Sequence, residues 1–136
     1  FYELVGFTPV TEQAPCTNAT INGALGLAAG RRAEGILLGT AEGTTVLDLI
    51  EWDGPAQEPP PATDRAARIG VHRIAVVVDD LDAVLARLAD AGVAPLSDPV
   101  RSRILGGVRF VCVPDPDGTL VELFQFDDGR TTVTGP

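Results

Sequence analysis

Short, mostly apolar runs bounded by turn-forming residues recur along the chain, which is typical of strands. One of them is Leu120–Phe126, which the turn-forming sequence P-D-P-D-G precedes and in which Glu122 interrupts apolar neighbours. The same pattern predicts further strands at Thr8–Gln13, Glu34–Gly39, Thr45–Trp52, Val71–Val78, Val93–Leu96 and Val108–Val113. Between the last two of these, Ser97–Gly107 is predicted to be a loop.

One helix is predicted with well-defined ends, beginning after Asp79 and Asp80. Its apolar residues recur at the i, i+3, i+4 and i+7 positions of an amphipathic helix, namely Leu81, Val84, Leu85 and Leu88. An aspartate cap at the start and Gly92 after the last turn fix its limits. Residues 1–7 have the pattern of the end of another amphipathic helix, which Gly6 stops.

Two stretches lack a regular pattern. Cys16–Gly30 is rich in small residues and is predicted to be a long loop with a short helical or strand piece near Ala24–Ala28. Loops of this length in compact domains often carry function. Residues 53–68 include three consecutive prolines, so an extended linker is predicted there.

Two carboxylates interrupt apolar strand faces. Asp48 shares a face with Val46, Ile50 and Trp52, and Glu122 shares one with leucine and phenylalanine neighbours. Burying a carboxylate without a partner costs several kcal/mol, so each side chain is expected to meet a cation. That cation is either a metal ion or a guanidinium, and Arg109 is one candidate for Glu122.

The two halves of the chain look like copies of one unit. The segment L-D-L-I-E-W at 47–52 matches V-E-L-F-Q-F at 121–126, which pairs Asp48 with Glu122. At the equivalent offset, the counterpart of the strand that carries His72 falls before Phe1. We therefore expect one domain over 1–136, with module one at 1–52, a linker at 53–68 and module two at 69–128. Module one is expected to lack its opening strand and most of its first helix.

These features together resemble the vicinal oxygen chelate superfamily, which includes glyoxalase I, bleomycin resistance proteins and extradiol dioxygenases. The motifs that carry the resemblance are the histidine that opens the second unit, the helix start D-D-L-D-A and the ending D-P-D-G-T-L-V-E-L. The resemblance implies an α+β fold in which two βαβββ modules form a curled mixed sheet around a cavity. It also implies metal ligands on the opening and final strands, at His72, Glu122 and Asp48.

Such a ligand set, rich in oxygen, suits a divalent metal ion: Mn, Fe, Ni, Co, Zn or Mg. The ion would stabilise an enolate, and Glu122 or Asp48 would serve as the catalytic base. The expected activity is that of a metal-dependent isomerase, epimerase or lyase acting on a small carbonyl-containing substrate. A non-haem iron dioxygenase is a second possibility, and it would need a second histidine from upstream because His72 is the only one in the chain.

The contrasting hypothesis is a protein that binds and sequesters an antibiotic or natural product without a metal. The long loop Cys16–Gly30 and four aromatic residues would then line the site and offer aromatic faces to a flat ligand: Trp52, Phe110, Phe124 and Phe126. Arg101 and Arg103, in the predicted loop before the last hairpin, would hold an anionic substrate, such as a carboxylate or a coenzyme phosphate, or would be solvated surface charges. Aromatic residues of this kind are also ordinary core residues, so the sequence leaves both hypotheses open.

Composition limits the partners. The net charge of -9 over 136 residues argues against a surface for nucleic acid or anionic membranes, and favours a small-molecule ligand. We find neither an apolar run long enough to cross a bilayer nor a leader, so a cytoplasmic protein is expected. The two cysteines are expected to be free thiols. All ten basic residues are arginine, which fits a bacterial source, and assembly as a homodimer is expected.

Overall fold

The computed structural model describes residues 1–41, 43, 45–55, 73–103 and 106–131. The chain divides into two compact units. The first unit contains residues 2 and 6–57, and the second contains residues 1, 3–5 and 58–136. The boundary at residue 57 falls within the linker predicted at 53–68.

Helices are few and short among the described residues. They are a 3-10 helix at Tyr2–Val5, α1 at Ala19–Ala24 and α2 at Leu81–Asp90. The strands are β1 (Thr8–Pro9), β2 (Ala14–Pro15), β3 (Ala33–Gly39), β4 (Val46–Trp52), β5 (Arg73–Val77), β6 (Val100–Ser102), β7 (Val108–Pro114) and β8 (Leu120–Phe126). None of these helices is long and apolar enough to cross a membrane.

The sheet of the first unit is built around β3. Strand β4 pairs antiparallel with one edge of β3, and the short strands β1 and β2 pair with the other edge. Gly35 in β3 allows the side chain of Cys16 to lie close to the backbone of this strand, because a Cβ at position 35 would lie 3.1 Å from the sulfur of Cys16. Asp48 lies opposite Leu37 in the β3–β4 register. Its neighbours on that face are open to solvent, with Val46 59% and Ile50 39% exposed.

The sheet of the second unit has the strand order β5-β8-β7-β6, with β5 parallel to β8 and the other pairs antiparallel. One face of its central strands is fully buried, through Val111, Val113, Val121 and Leu123. The stripe of α2 is buried too, with Leu81 and Leu88 0% exposed. Each such side chain stabilises the fold by about 1.5–3 kcal/mol through burial. The core of the second unit therefore lies on the α2 side of its sheet.

Polar contacts fix the beginning of α2 against β7 and β8. The side chain of Asp80 accepts a hydrogen bond from the Ala83 amide at 2.9 Å, which is the predicted N-cap. Gln125 accepts from the Leu81 amide at 3.2 Å and donates to the carbonyl of Asp79 at 2.8 Å. At the other end Gly92 has φ +76°, the left-handed conformation that ends a helix. The helix predicted from the sequence is confirmed.

Three predicted elements differ from the structure. Val93–Leu96 is not a strand; the second strand of the βαβββ order is β6, inside the predicted loop Ser97–Gly107. The short run of apolar residues at 93–96 contains Pro95, and only the Leu96 amide joins the sheet, donating to the carbonyl of Cys112 at 2.9 Å. The predicted strand Thr8–Gln13 is replaced by two short pieces, β1 and β2.

The third difference is α1, which begins five residues before the predicted Ala24–Ala28 piece. Asn18 caps it by accepting hydrogen bonds from the amides of Thr20 and Ile21, both at 3.0 Å. Asn22 is 0% exposed and donates to the carbonyls of Ala29 at 3.1 Å and Arg31 at 2.7 Å. Side-chain capping and this buried amide, rather than an apolar stripe, define the segment, and hydrophobic periodicity could not reveal it.

The other predicted elements agree with the structure where they fall on described residues, whereas most of the predicted linker at 53–68 lies outside them. The long strands β3, β4, β7 and β8 lie at the predicted positions, and the second half has the predicted order of strand, helix and three strands. The α+β class is confirmed. The predicted helix end at 1–7 is a 3-10 helix followed by Gly6 with φ +109°. Both cysteines are free thiols, as predicted.

Candidate functional site

One face of the second sheet carries the aromatic side chains. The register pairs Phe110 with Phe124, and it places Val100 and Val77 at the two ends of the same row. The next row consists of Ala75, Glu122 and Cys112. Partners in a ladder point to the same side of a sheet, so these residues share one surface. We call it the aromatic face: Arg73, Ala75, Val77, Val100, Phe110, Cys112, Glu122 and Phe124.

The aromatic face is less buried than the opposite face, which α2 covers. Phe110, Cys112, Glu122 and Phe124 are half-buried, and Val100 is 50% exposed. Phe124 also packs edge-to-face on Phe126, with ring centroids 5.3 Å apart. Apolar surface of this kind beside a carboxylate is typical of a ligand site rather than of a closed core.

Glu122 has a cation beside it, and that cation is Arg73. The Nη1 atom of Arg73 donates to Oε1 of Glu122 at 3.4 Å. Strand alternation explains the pairing, because Ala75 lies next to Glu122 in the β5–β8 register and Arg73 precedes it on the same face. The Glu122 side chain is 17% exposed and that of Arg73 is 51% exposed. A guanidinium therefore meets the carboxylate, but it is not that of Arg109.

Arg109 instead pairs with Asp82 on α2. Its Nη1 and Nη2 atoms donate to the two carboxylate oxygens at 2.9 and 2.8 Å. These bonds lower the pKa of Asp82 and raise that of Arg109. This fork-to-fork geometry is that of a strong Arg–carboxylate pair. By comparison, the single contact of 3.4 Å between Arg73 and Glu122 is long. It leaves N–H donors of the guanidinium and acceptor positions of the carboxylate available.

Cys112 lies directly opposite Glu122 on β7. Burial raises the pKa of its thiol, and the negative charge of Glu122 raises that pKa further, while Arg73 opposes both effects. The thiol is therefore neutral at physiological pH. A neutral thiol is neither a good nucleophile nor a metal ligand.

His72, the predicted metal ligand of the opening strand, lies outside the described residues. Sequence alternation grouped it with Ile74 and Val76. In the structure these two residues pair with Val121 and Leu123, on the face opposite Glu122. Within the described part of β5, the residue that reaches Glu122 is Arg73. The role of His72 as a ligand stays a prediction.

The other predicted site residues lie on other elements of the chain. Asp48 is exposed in the centre of β4 in the first unit, and Trp52 is half-buried at the end of the same strand. Arg103 follows β6 and lines an open depression of about 490 Å³ with Arg101, Ser102, Gly106, Gly107 and Asp127. There Arg101 is already paired with Asp127 at 2.7 Å. Phe110, Phe124 and Glu122 are the predicted residues that one surface brings together.

The described residues do not fit a divalent metal centre. They contain no group of three or more His, Cys, Asp and Glu side chains that could hold an ion. The carboxylate best placed to be a ligand, Glu122, is held by a positive group that repels metal ions. This test concerns the described donors, and His72 is not among them.

Two residues of the face were missed in the sequence analysis, Arg73 and Cys112. Alternation along one strand shows which residues share a face, but it does not show which face of β5 matches which face of β8. That match depends on the parallel register, in which Ala75 pairs with Glu122. Arg73 directly follows His72 in the sequence. A shift of one position in the register of β5 therefore changes which of the two residues is assigned to the face that carries Glu122.

Comparison with known proteins agrees with this fold. The family model described as "Glyoxalase/Bleomycin resistance protein/Dioxygenase superfamily" matches residues 1–123. A glyoxalase family protein from Bacillus cereus superposes with a TM-score of 0.75 at 19% identity, covering 92% of this chain and 81% of that one. A glyoxylase/bleomycin resistance protein/dioxygenase domain from Frankia sp. EAN1pec gives 0.64 at 16% identity, covering 94% and 79%.

A glyoxalase/dioxygenase from Nostoc punctiforme gives a TM-score of 0.57 at 21% identity, covering 91% of this chain and 77% of that one. Comparison with curated proteins gave no match. At these identities the structural likeness concerns the fold, and the chemistry has to be argued from the residues of this chain.

Proposed function

This chain belongs to the glyoxalase/bleomycin resistance protein/dioxygenase superfamily, and we propose that it binds a small planar molecule on the aromatic face without a metal ion. The observation that carries the proposal is the contact of Arg73 with Glu122. In this arrangement a guanidinium supplies the positive charge that the half-buried carboxylate needs. The protein would then be a binding or sequestration protein.

Electrostatics disfavour a metal ion beside this pair. A divalent ion and a guanidinium about 4 Å apart repel each other by about 2 kcal/mol in water and about 8 kcal/mol near a protein surface. The repulsion at Arg73 lies toward the lower value because its side chain is 51% exposed. Glu122 would also have to exchange its present partner for the ion. Both effects make the free energy of binding a divalent ion at Glu122 less favourable.

The aromatic row supports a flat ligand. Phe124 and Phe110 are neighbours across β7 and β8, and Val77 and Val100 extend the row to both sides. All four side chains keep part of their surface exposed. Stacking or edge contacts with phenylalanine rings contribute about 0.5–1.5 kcal/mol beyond area burial. Such a row favours a planar apolar body over an extended polar one.

The metal-dependent isomerase, epimerase or lyase predicted from the sequence is the competing hypothesis. It requires Asp48, His72 and Glu122 to share an ion, and the dioxygenase hypothesis requires one more histidine. Catalysis by Glu122 or Asp48, and binding roles for Trp52 and Arg103, stay predictions. So do a cytoplasmic location and a homodimer.

Binding of 2-acetonaphthone, a planar ketone, by metal-free protein tests the proposal. We expect saturable binding in equilibrium dialysis that is the same with and without a chelator. Phe124→Ala should weaken it about tenfold, because the ring supplies much of the apolar contact. Leu96→Ala is the matched control, since Leu96 is an exposed apolar residue of the same unit outside the aromatic face, and should leave binding unchanged.

Two results would contradict the proposal. One is an absence of saturable binding by any naphthalene probe in folded protein. The other is binding that appears only after a divalent ion is added, which would favour the enzyme hypothesis.

A further inference from the structure

We infer that the ligand of the aromatic face carries a carboxamide-like group, with a carbonyl acceptor next to an N–H donor. This inference rests on the proposed function and specifies its ligand class. Its basis is the polar end of the face, where a group that only donates and a group that only accepts lie side by side. Arg73 supplies the donors and Glu122 supplies the acceptors.

The contact between these two residues leaves capacity for a ligand. It is a single contact of 3.4 Å, whereas charge-assisted N–H···O bonds are usually about 2.7–2.9 Å long. The Arg109–Asp82 pair in the same unit, by comparison, has two short hydrogen bonds of 2.9 and 2.8 Å. Glu122 is 17% exposed, so it has lost most of its water, and within the described residues it has gained one long contact rather than two short ones. A half-buried carboxylate in that state gains from another donor.

Charge complementarity narrows the ligand class. A carboxylate ligand would be attracted by Arg73 but repelled by Glu122. An ammonium ligand would be attracted by Glu122 but repelled by Arg73. The net charge of -9 adds to the disadvantage of an anion. An uncharged ligand with both groups satisfies both residues at once. Amides and lactams on a planar ring have this pattern.

The rows of the sheet give the ligand an orientation. The row that contains Glu122 and Cys112 borders the row that contains Phe124 and Phe110. A ring over the phenylalanines would therefore place a substituent at the ion pair. Cys112 is a neutral thiol at this border, and it does not compete for the amide as a charged group would.

The test compares two probes of nearly equal shape, 2-naphthamide and 2-acetonaphthone. Both present a carbonyl to Arg73, and only the amide has N–H groups for Glu122. The expected result with the parent protein is about tenfold tighter binding of the amide, the size typical of a hydrogen bond to a charged group. Glu122→Gln replaces the charged acceptor by a neutral side chain of equal size, and it should reduce the preference to about threefold or less.

Two further variants complete the design. Arg73→Lys keeps the charge but removes the planar fork, so it should weaken both probes by a similar factor and leave their ratio unchanged. Glu51→Gln is the matched control, because Glu51 is an exposed glutamate of β4 in the first unit, and it should change neither affinity. Unfolding curves of each variant establish that it is folded.

The outcomes separate this inference from the proposed function. If both probes bind with equal affinity, or if Glu122→Gln leaves the preference intact, the carboxamide inference is wrong while metal-free binding stands. If neither probe binds to the folded parent protein, the proposed function fails and the inference fails with it.

Discussion

The two halves of the repeat place the same short pattern in different surroundings. In the second unit Val121 and Leu123, on either side of Glu122, are 0% exposed. In the first unit the matching Leu47 and Leu49 are only half-buried. Strand β8 has a strand on each side, whereas β4 has β3 as its only strand partner within the described ranges. An apolar pattern thus predicts a strand face, but neighbouring elements decide how deeply it is buried.

The two carboxylates at matching positions of the repeat also differ in burial and in their neighbours. Glu122 receives Arg73 from the parallel strand β5, and its side chain is 17% exposed. Asp48 is exposed and lies opposite Leu37, an apolar residue. Equivalence in the repeat therefore does not imply equal chemistry. The carboxylate with the guanidinium partner carries the proposed site.

The largest contrast is expected for core truncation. Leu123→Ala should lower the free energy of unfolding by about 2–5 kcal/mol, because it removes a fully buried side chain under α2. Leu49→Ala, at the matching position of the first half, should cost less because Leu49 keeps part of its surface exposed. Urea unfolding of both variants measures the difference. Equal losses would show that the two faces are equally buried in solution.

Helix capping gives a contrast of intermediate size. Asp80→Ala removes the side chain that accepts from the Ala83 amide, and should cost about 1 kcal/mol. Asn18→Ala removes the cap of α1, which has six residues and contributes less to a core, so a smaller change in the unfolding free energy is expected. Hydrogen exchange of the amides in the first turn of each helix locates the effect. A larger loss for Asn18→Ala would contradict this ranking.

The smallest effect concerns the pH dependence of the second unit. The Arg109 hydrogen bonds lower the pKa of Asp82 in the folded state. A lowered pKa contributes stability above the unfolded pKa of about 4, and that contribution is lost as the pH falls through the folded value. Asp82→Asn should therefore reduce stability slightly at neutral pH and flatten the acid limb of the stability curve below about pH 4. An unchanged acid limb would show that the pair adds nothing in solution.

Much of the fold could be predicted from the sequence because local patterns determine it. The α2 stripe, its aspartate cap, the turn before β8 and the repeat all have direct sequence signals. By contrast, β6 is a three-residue strand with an arginine at its centre, and pairing with β7 defines it more than its own pattern does. Helix α1 depends on Asn18 and Asn22, whose hydrogen bonds periodicity does not show.

The site was harder to predict because it, too, depends on how strands pair. That Glu122, Phe110 and Phe124 share a face follows from the antiparallel hairpin. Which residue of β5 joins them depends on a parallel register between strands separated by 42 residues, 78–119, and no turn fixes that register. The resemblance assigned His72 as a metal ligand, which stays a prediction, whereas the described strand brings Arg73 to the carboxylate.

We propose that Arg73, and not a metal ion, neutralises Glu122. The decisive experiment is elemental analysis after chelator-treated protein is exposed to Mn, Fe, Ni, Co, Zn and Mg ions and then dialysed. The expected result is no stoichiometric ion in the parent protein, and the same result for Glu122→Gln and His72→Ala. A stoichiometric ion in the parent that is lost in both variants would overturn this proposal and establish the metal centre predicted from the sequence.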